Sequence, residues 1–144
     1  MGTEDSFMAA RERLSKSAFL VIDDEDIIVD VMREVVGPLA AAFESARSGE
    51  EGLRKLAKRG YDFILLDIKM PGMNGMELYG NIRRYFPHFL QRVIFMTGDT
   101  QSEETAAFIA FTGRRCLIKP FDIKEFFGIL NETERSLSHG KDII

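Results

Sequence analysis

The sequence predicts a doubly wound α/β domain, in which helices cover both faces of a parallel sheet. Short apolar segments typical of buried strands alternate along the chain with segments whose apolar residues recur every three or four positions, as in amphipathic helices. Such alternation is typical of βαβ units, which build parallel sheets. The 144 residues, 45% of them hydrophobic, suffice for one core and one domain.

Five segments are expected to form the strands. Four are strongly apolar and end on a polar residue, whereas the second lies between Pro38 and the polar turn at Ser48 and is the weakest. In chain order the predicted strands are residues 19–23, 42–46, 63–67, 93–97 and 116–119.

Helices are expected between these strands. Residues 28–35 and 123–130 carry apolar stripes with helical spacing, and Pro38 and Pro87 are expected to end two helices. At four places a capping side chain precedes a glutamate by three residues, which indicates a helix start. These capping residues are Ser48, Asn74, Thr100 and Asp122.

The ends of the chain lie outside this alternation. Residues 1–17 are polar or helix-prone, so we expect an N-terminal extension with a short helix near residues 7–14. The domain itself is predicted to span residues 18–135, and residues 136–144 to form a C-terminal tail.

Charge and cysteine content indicate the cellular compartment and argue against some classes of binding partner. Lys and Arg total 19 against 23 Asp and Glu, and the net charge of -4 provides no positive field for nucleic acid or acidic lipid. The single cysteine, Cys116, has no internal disulfide partner, which favours a reducing cytoplasm. No apolar run approaches the roughly 18 residues of a membrane helix. We therefore expect a cytoplasmic protein that binds neither nucleic acid nor membrane directly.

Polar residues end the predicted strands at one edge of the sheet, where open α/β sheets bind ligands. Three carboxylates at one edge repel one another unless a lysine or a hard cation such as Mg²⁺ compensates their charge. A carboxylate beside Mg²⁺ and a lysine can attack phosphorus, which would give an aspartyl phosphate. The residues at this edge are Asp23, Asp24, Asp67, Thr97 and Lys119.

The sequence closely resembles the receiver domains of two-component response regulators, over nearly its whole length. Each matching segment alone would be weak, but together, in family order and at family spacing, they are specific. The segments are Val21-Ile22-Asp23-Asp24-Glu25, Leu66-Asp67-Ile68-Lys69-Met70-Pro71-Gly72-Met73-Asn74-Gly75, Met96-Thr97-Gly98 and Lys119-Pro120-Phe121. The resemblance implies a flavodoxin-like receiver fold with five parallel strands in the order 2-1-3-4-5 and five helices.

The resemblance also implies a magnesium site. Asp67 would be the phosphoacceptor and would bind Mg²⁺ directly, together with Asp24 and the backbone carbonyl of Lys69. Asp23 would reach the ion mainly through water.

Other matching positions would hold the phosphoryl group. The Thr97 hydroxyl would bond it, Lys119 would pair with one of its oxygens, and Gly98 would leave it room. The family implies a cis peptide before Pro120, and a switch that acts through its fourth helix, fifth strand and fifth helix.

Two pairs of positions bear on the switch and on the lifetime of the phosphoryl group. The family often has Tyr or Phe three residues before the lysine, but here Cys116 stands there, and a thiol is too small to act as that lever. Thr97 and Cys116 are the expected switch positions, with core packing or redox sensing as alternatives for the thiol. The resemblance implies that Lys69 and Asp99 flank the site. An ion pair between them would limit access of water to the acyl phosphate, or it would be an exposed pair of little energetic consequence.

The predicted function is therefore a phosphoacceptor switch. A histidine kinase or phosphotransfer protein would donate the phosphoryl group and a downstream effector protein would read the altered face, with a homodimer left open. No enzyme activity is expected beyond self-phosphorylation from a donor and autodephosphorylation. A Mg²⁺-dependent phosphohydrolase is an alternative, although such enzymes normally carry Asp-x-Asp where this chain has Asp67-Ile68-Lys69. An inert pseudo-receiver that only binds a partner is another.

Overall fold

The computed structural model describes residues 3–143, with side-chain surroundings for residues 4–137. This part of the chain forms five strands, six α-helices and one short 3₁₀ helix, which spans Pro87–Arg92. The strands are β1 (Ala18–Ile22), β2 (Ala42–Ala46), β3 (Phe63–Asp67), β4 (Val93–Thr97) and β5 (Cys116–Ile118). The helices are α1 (Thr3–Leu14), α2 (Asp26–Val36), α3 (Gly49–Leu56), α4 (Gly75–Tyr85), α5 (Glu103–Thr112) and α6 (Ile123–Ile143).

The five strands form one parallel sheet in the order β2-β1-β3-β4-β5, as the resemblance implied. Ile22 pairs with Leu66, Asp67 pairs with Met96, and Thr97 pairs with Ile118. The carboxyl ends of the central strands are therefore level, and the residues that follow them share one edge.

Helices cover both faces of the sheet, and each face has its own hydrophobic core. One core joins the sheet to α1, α2 and α6, with Leu14, Val29 and Phe126 almost fully buried. The other joins it to α3 and α4, with Leu56 and Leu78 buried, and to α5. Every residue of β1, β3 and β4 is buried, which explains why these strands are continuous apolar runs.

Most predicted strand boundaries agree with the structure to within one residue, but the start of α5 differs. β1 ends at Ile22 and β5 ends at Ile118, so Asp23 and Lys119 follow their strands instead of ending them. The predicted cap at Thr100 is wrong, because α5 starts later, where the Ser102 hydroxyl accepts a hydrogen bond from the Thr105 amide at 3.1 Å. The predicted caps at Ser48, Asn74 and Asp122 are confirmed.

The short helix expected in the N-terminal extension is α1, which begins at Thr3 instead of near residue 7 and packs along α6. The Phe7 and Phe127 rings meet edge to face at 5.1 Å. Asn131 on α6 donates to the Ser6 carbonyl at 2.9 Å and accepts from Arg13 at 3.0 Å. These contacts make α1 part of the folded unit.

The C-terminal segment extends the last helix. α6 continues to Ile143, so residues 136–143 of the predicted tail are helical, and residue 144 lies outside the described residues. None of the helices within residues 3–143 is both long and apolar enough to cross a membrane.

Candidate functional site

Three polar side chains predicted to converge do meet beyond the carboxyl edge of the sheet. The Lys119 ammonium lies 2.9 Å from Asp23 Oδ2 and 3.3 Å from Asp67 Oδ1. It also lies 3.0 Å from Glu25 Oε1, a contact that the sequence did not predict. Residues from the ends of β1, β3 and β5 therefore form one ionic cluster.

Asp23 is the fixed member of this cluster. Its side chain is fully buried, its Oδ1 accepts a hydrogen bond from the Glu25 amide at 2.9 Å, and its Oδ2 faces Lys119. Its own amide donates to the carbonyl of Ala46 on β2 at 3.0 Å. Because both carboxylate oxygens and the backbone are engaged, Asp23 holds a defined position.

Asp67 has the least complete surroundings. The residue is buried, and its Oδ2 has no hydrogen-bond partner among the described residues, although its Oδ1 faces Lys119. Burial, together with the negative charges of Asp23 and Asp24, raises the pKa of the Asp67 carboxyl to about 7, against the opposing effect of Lys119. Because Asp23, Glu25 and Asp67 all face the single ammonium of Lys119, the cluster has more acidic than basic groups.

Lys119 stays charged in this setting. Burial opposes the ammonium form, but hydrogen bonds to Asp23 and Glu25 and the charge of Asp67 outweigh it, so the pKa of Lys119 lies above its usual value. The Lys119 amide donates to the Thr97 carbonyl at 2.8 Å, and the Lys119-Pro120 peptide is cis, as the resemblance implied.

The donor set suits a hard cation. Carboxylate oxygens of Asp23, Glu25 and Asp67 lie within 4.8 Å of one another, and the orphaned Asp67 Oδ2 is an oxygen that such a cation would satisfy. Asp24, expected as a direct ligand, is exposed and lies outside this group of three. The signal that could have revealed Glu25 was its place directly after the aspartate pair.

Comparison with known proteins identifies the family of this chain. The family model described as the response regulator receiver domain matches residues 19–131 of the chain.

The chain belongs to this family.

One similar protein is the DNA-binding transcriptional regulator NtrC of Escherichia coli strain K12, which is 31% identical over 119 residues. That alignment covers 83% of this chain but 24% of NtrC, so the chain spans about a quarter of that relative's length.

Solved structures of receiver domains share the fold. A CheY-like receiver domain protein of Methanospirillum hungatei JF-1 is 27% identical with a TM-score of 0.71, over 85% of this chain and 99% of that one. The response regulator TrrA of Thermotoga maritima, solved in complex with Mg²⁺-BeF, is 27% identical with a TM-score of 0.65, over 81% and 97% of the two chains.

Thr97 and Gly98 lie at the end of β4, the strand between β3, which carries Asp67, and β5, which precedes Lys119. Thr97 is the buried last residue of β4, and its hydroxyl oxygen accepts a hydrogen bond from the Asp99 amide at 3.1 Å. A Cβ added at Gly98 would meet only the Lys119 Cβ within 4 Å, at 3.8 Å. Space is therefore open beside Gly98.

Cys116 begins β5 in a half-buried position within the core on the α5 face of the receiver domain. Burial raises the pKa of its thiol to about 11. At neutral pH the side chain is accordingly a neutral thiol, which agrees better with packing than with redox sensing.

Lys69 and Asp99 form the expected ion pair across two loops of the receiver domain. Their side chains meet at 2.9 Å, and the Lys69 side chain is 60% exposed. The hydrogen bond between them raises the pKa of Lys69 and lowers the pKa of Asp99, so both stay charged at neutral pH.

Proposed function

We propose that this receiver domain is a phosphoacceptor switch, in which Asp67 takes a phosphoryl group from the phosphohistidine of a histidine kinase or phosphotransfer protein. The proposal rests on the surroundings of the two carboxylate oxygens of Asp67. One oxygen has no hydrogen-bond partner among the described residues, and the other lies 3.3 Å from the Lys119 ammonium. A buried anion that is short of positive charge beside a fixed cation suits a nucleophile for phosphorus.

The chemistry assigns a role to each nearby group. An Asp67 oxygen forms a bond to phosphorus while the bond from phosphorus to the donor's imidazole nitrogen breaks, and the leaving imidazole keeps the electron pair and takes up a proton. The Lys119 ammonium offsets the charge of the incoming phosphoryl oxygens. The Thr97 hydroxyl donates to one of those oxygens, and the open space at Gly98 accommodates the group.

Mg²⁺ is the proposed cofactor, because a hard cation would satisfy the buried Asp67 Oδ2, which has no hydrogen-bond partner among the described residues. Asp24, Asp67 and the backbone carbonyl of Lys69 would bind the ion directly, with Asp23 acting through water. When bound, Mg²⁺ supplies positive charge that offsets negative charge on the phosphoryl group. The related Thermotoga maritima response regulator was solved in complex with Mg²⁺-BeF, which supports a cation and an oxyanion mimic at this kind of site.

The proposed output face lies on α5, β5 and α6, the elements through which the family changes shape. Three large apolar side chains are exposed there: Phe111 by 79%, Ile118 by 44% and Ile123 by 50%. Exposed apolar groups on a switching face suit a protein partner. We propose a downstream effector protein as that partner, and no activity beyond gaining and losing the phosphoryl group.

One experiment tests the proposal against both alternatives. The protein is incubated with acetyl phosphate and Mg²⁺, and its intact mass is measured for the parent, Asp67→Asn and Asp62→Asn. Asp62 provides a matched control, because it accepts the Ala18 amide at 2.8 Å at the opposite end of β3. The parent and the Asp62 variant should gain one phosphoryl group in a Mg²⁺-dependent manner, and the Asp67 variant should gain none.

The other outcomes point to other functions. Turnover of many equivalents of an external phosphoester, such as p-nitrophenyl phosphate, would favour the phosphohydrolase. No modification of the parent under any condition would favour the inert interaction module.

A further inference from the structure

Lys119 has one partner that differs from the other two. Asp23 is fully buried, and the side chain of Asp67 is only 3% exposed. The Glu25 side chain is 58% exposed, yet its Oε1 lies 3.0 Å from the ammonium. Glu25 therefore contacts Lys119 from the solvent side of the cluster, whereas both aspartates are buried.

The hydrogen-bonding capacity of the ammonium makes this difference important. A lysine ammonium has three N–H donors, and three carboxylates surround Lys119 within 3.3 Å. A phosphoryl oxygen that pairs with Lys119 must therefore displace one of them. Asp23 is held by the Glu25 amide, and Asp67 carries the phosphoryl group itself, so Glu25 is the partner that can leave.

We propose that Glu25 is a displaceable counter-ion of Lys119, which holds the ammonium while the site is empty and competes with the incoming oxyanion. The inference rests on the proposed function and deepens it. Glu25 is a positioning residue in this scheme, because it acts on the phosphoryl group only through Lys119. Removing its charge should make the site bind an oxyanion more tightly.

The local structure makes this residue suitable for substitution. Glu25 is the N-cap of α2, but its side chain makes no capping hydrogen bond. Changing that side chain therefore removes no hydrogen bond from α2. The neighbouring Asp26 offers a matched control, because it is also an exposed acid and pairs with Arg47 at 2.7 Å instead of with Lys119. Asp26→Asn removes the same charge nearby without changing the contact to Lys119.

The test measures binding of beryllofluoride at saturating Mg²⁺ by calorimetry, for the parent, Glu25→Gln, Glu25→Ala and Asp26→Asn. Loss of one partly exposed ion pair should tighten binding about two- to fivefold in both Glu25 variants. The Asp26 variant should match the parent. Affinity for Mg²⁺ alone, measured in the same way, should be unchanged in the Glu25 variants.

Each other result overturns the inference. Equal or weaker beryllofluoride binding in the Glu25 variants would show that Glu25 does not compete. Weaker Mg²⁺ binding in the Glu25 variants alone would show that Glu25 is a metal ligand instead. If beryllofluoride binding tightens equally in Asp26→Asn, the cause is the lower negative charge near the site and not the loss of the contact to Lys119. If the parent fails to bind beryllofluoride, the proposed function fails together with the inference, whereas failure of the variants alone leaves that function intact.

Discussion

Gly75, the first residue of α4, shows how a single residue sets the geometry of the site. Its amide donates to the Ile68 carbonyl at 2.9 Å, so the start of α4 lies directly against the end of β3. A Cβ at Gly75 would lie 2.4 Å from the Asp67 carbonyl oxygen and 2.6 Å from the Ile68 Cα. Those are backbone atoms, so relief would require the backbone at Asp67 and Ile68 to move.

Substituting Gly75 should therefore destabilise the fold. We predict that Gly75→Ala lowers the free energy of unfolding by about 1–3 kcal/mol through overpacking. Gly80→Ala in the same helix is the control, since nothing lies within 4 Å of the added Cβ, and it should be neutral or stabilising by up to about 1 kcal/mol. Urea unfolding measures both, and equal values for the two variants would refute the close approach.

Cys116 should react slowly in the folded protein. With its pKa raised to about 11, the thiolate is scarce at pH 8, and alkylation by iodoacetamide should be on the order of a hundredfold slower than in urea-unfolded chains. The rate in the folded protein should rise with pH until the pH reaches that pKa. Similar rates in folded and unfolded protein at pH 8 would restore the redox alternative.

Residue-scale prediction from sequence succeeded where a strand fixed the position. Asp23, Asp67 and Lys119 each end or follow an apolar run, so parallel strands alone predicted that they share one edge of the sheet. Glu25 was missed because a glutamate at a helix start is ordinary, and its contact to Lys119 depends on a residue far along the chain.

At the scale of elements, α1 lies outside the part of the chain that matches the family model. That region begins at residue 19, whereas α1 ends at Leu14. Ala10 and Leu14 are nevertheless fully buried within the core that joins α1, α2 and α6. We infer that α1 contributes to the stability of the whole domain.

Truncating the buried side of α1 should be costly. We predict that Leu14→Ala lowers the free energy of unfolding by about 2–4 kcal/mol, the usual range for a large core side chain. Met8→Ala is the control on the same helix, because Met8 is 54% exposed, and its effect should stay within about 0.5 kcal/mol. If denaturant unfolding shows no loss for Leu14→Ala, α1 is an independent appendage.

The start of α5 and the end of α6 were not predicted correctly from the local sequence. Thr100 and Ser102 both offer a capping hydroxyl, but the Asp99 carboxylate accepts the amides of Gln101 and Ser102 and holds the loop open, so the helix starts after Ser102. The length of α6 was also missed. Arg115 on the loop before β5 bonds Glu132 and Ser136, a tertiary contact that the local sequence does not show.

At the scale of the whole molecule, the strand order came from resemblance and not from local pattern. Alternating strands and helices predict a parallel sheet, but several orders satisfy that rule. The observed order brings β1 and β3 side by side in the sheet, and with them Asp23 and Asp67. The resulting concentration of negative charge should be visible in the stability of the entire fold.

This charge predicts a pH-dependent effect of Asp67→Asn in metal-free buffer. The pKa of Asp67 is raised from 3.8 to about 7 in the folded protein. Between these two pH values the folded protein therefore holds a proton that the unfolded chain has lost. Because the folded state binds more protons in this range, the contribution of Asp67 to the free energy of unfolding falls as pH rises from 4 to 7. The variant should therefore exceed the parent by about 1–3 kcal/mol in unfolding free energy above pH 7, and by less near pH 4. A difference that does not change with pH would contradict this.

The proposed switch is tested most directly by locating the phosphoryl group on the chain. The protein is phosphorylated with acetyl phosphate and Mg²⁺, reduced with borohydride, which converts an acyl phosphate to an alcohol, and mapped by peptide mass spectrometry. Reduction should occur at Asp67 alone, and no residue should be reduced in a Lys119→Ala variant treated for the same short time. Reduction at Asp23 or Asp24, or a parent protein with no reduced residue, would contradict the proposed switch.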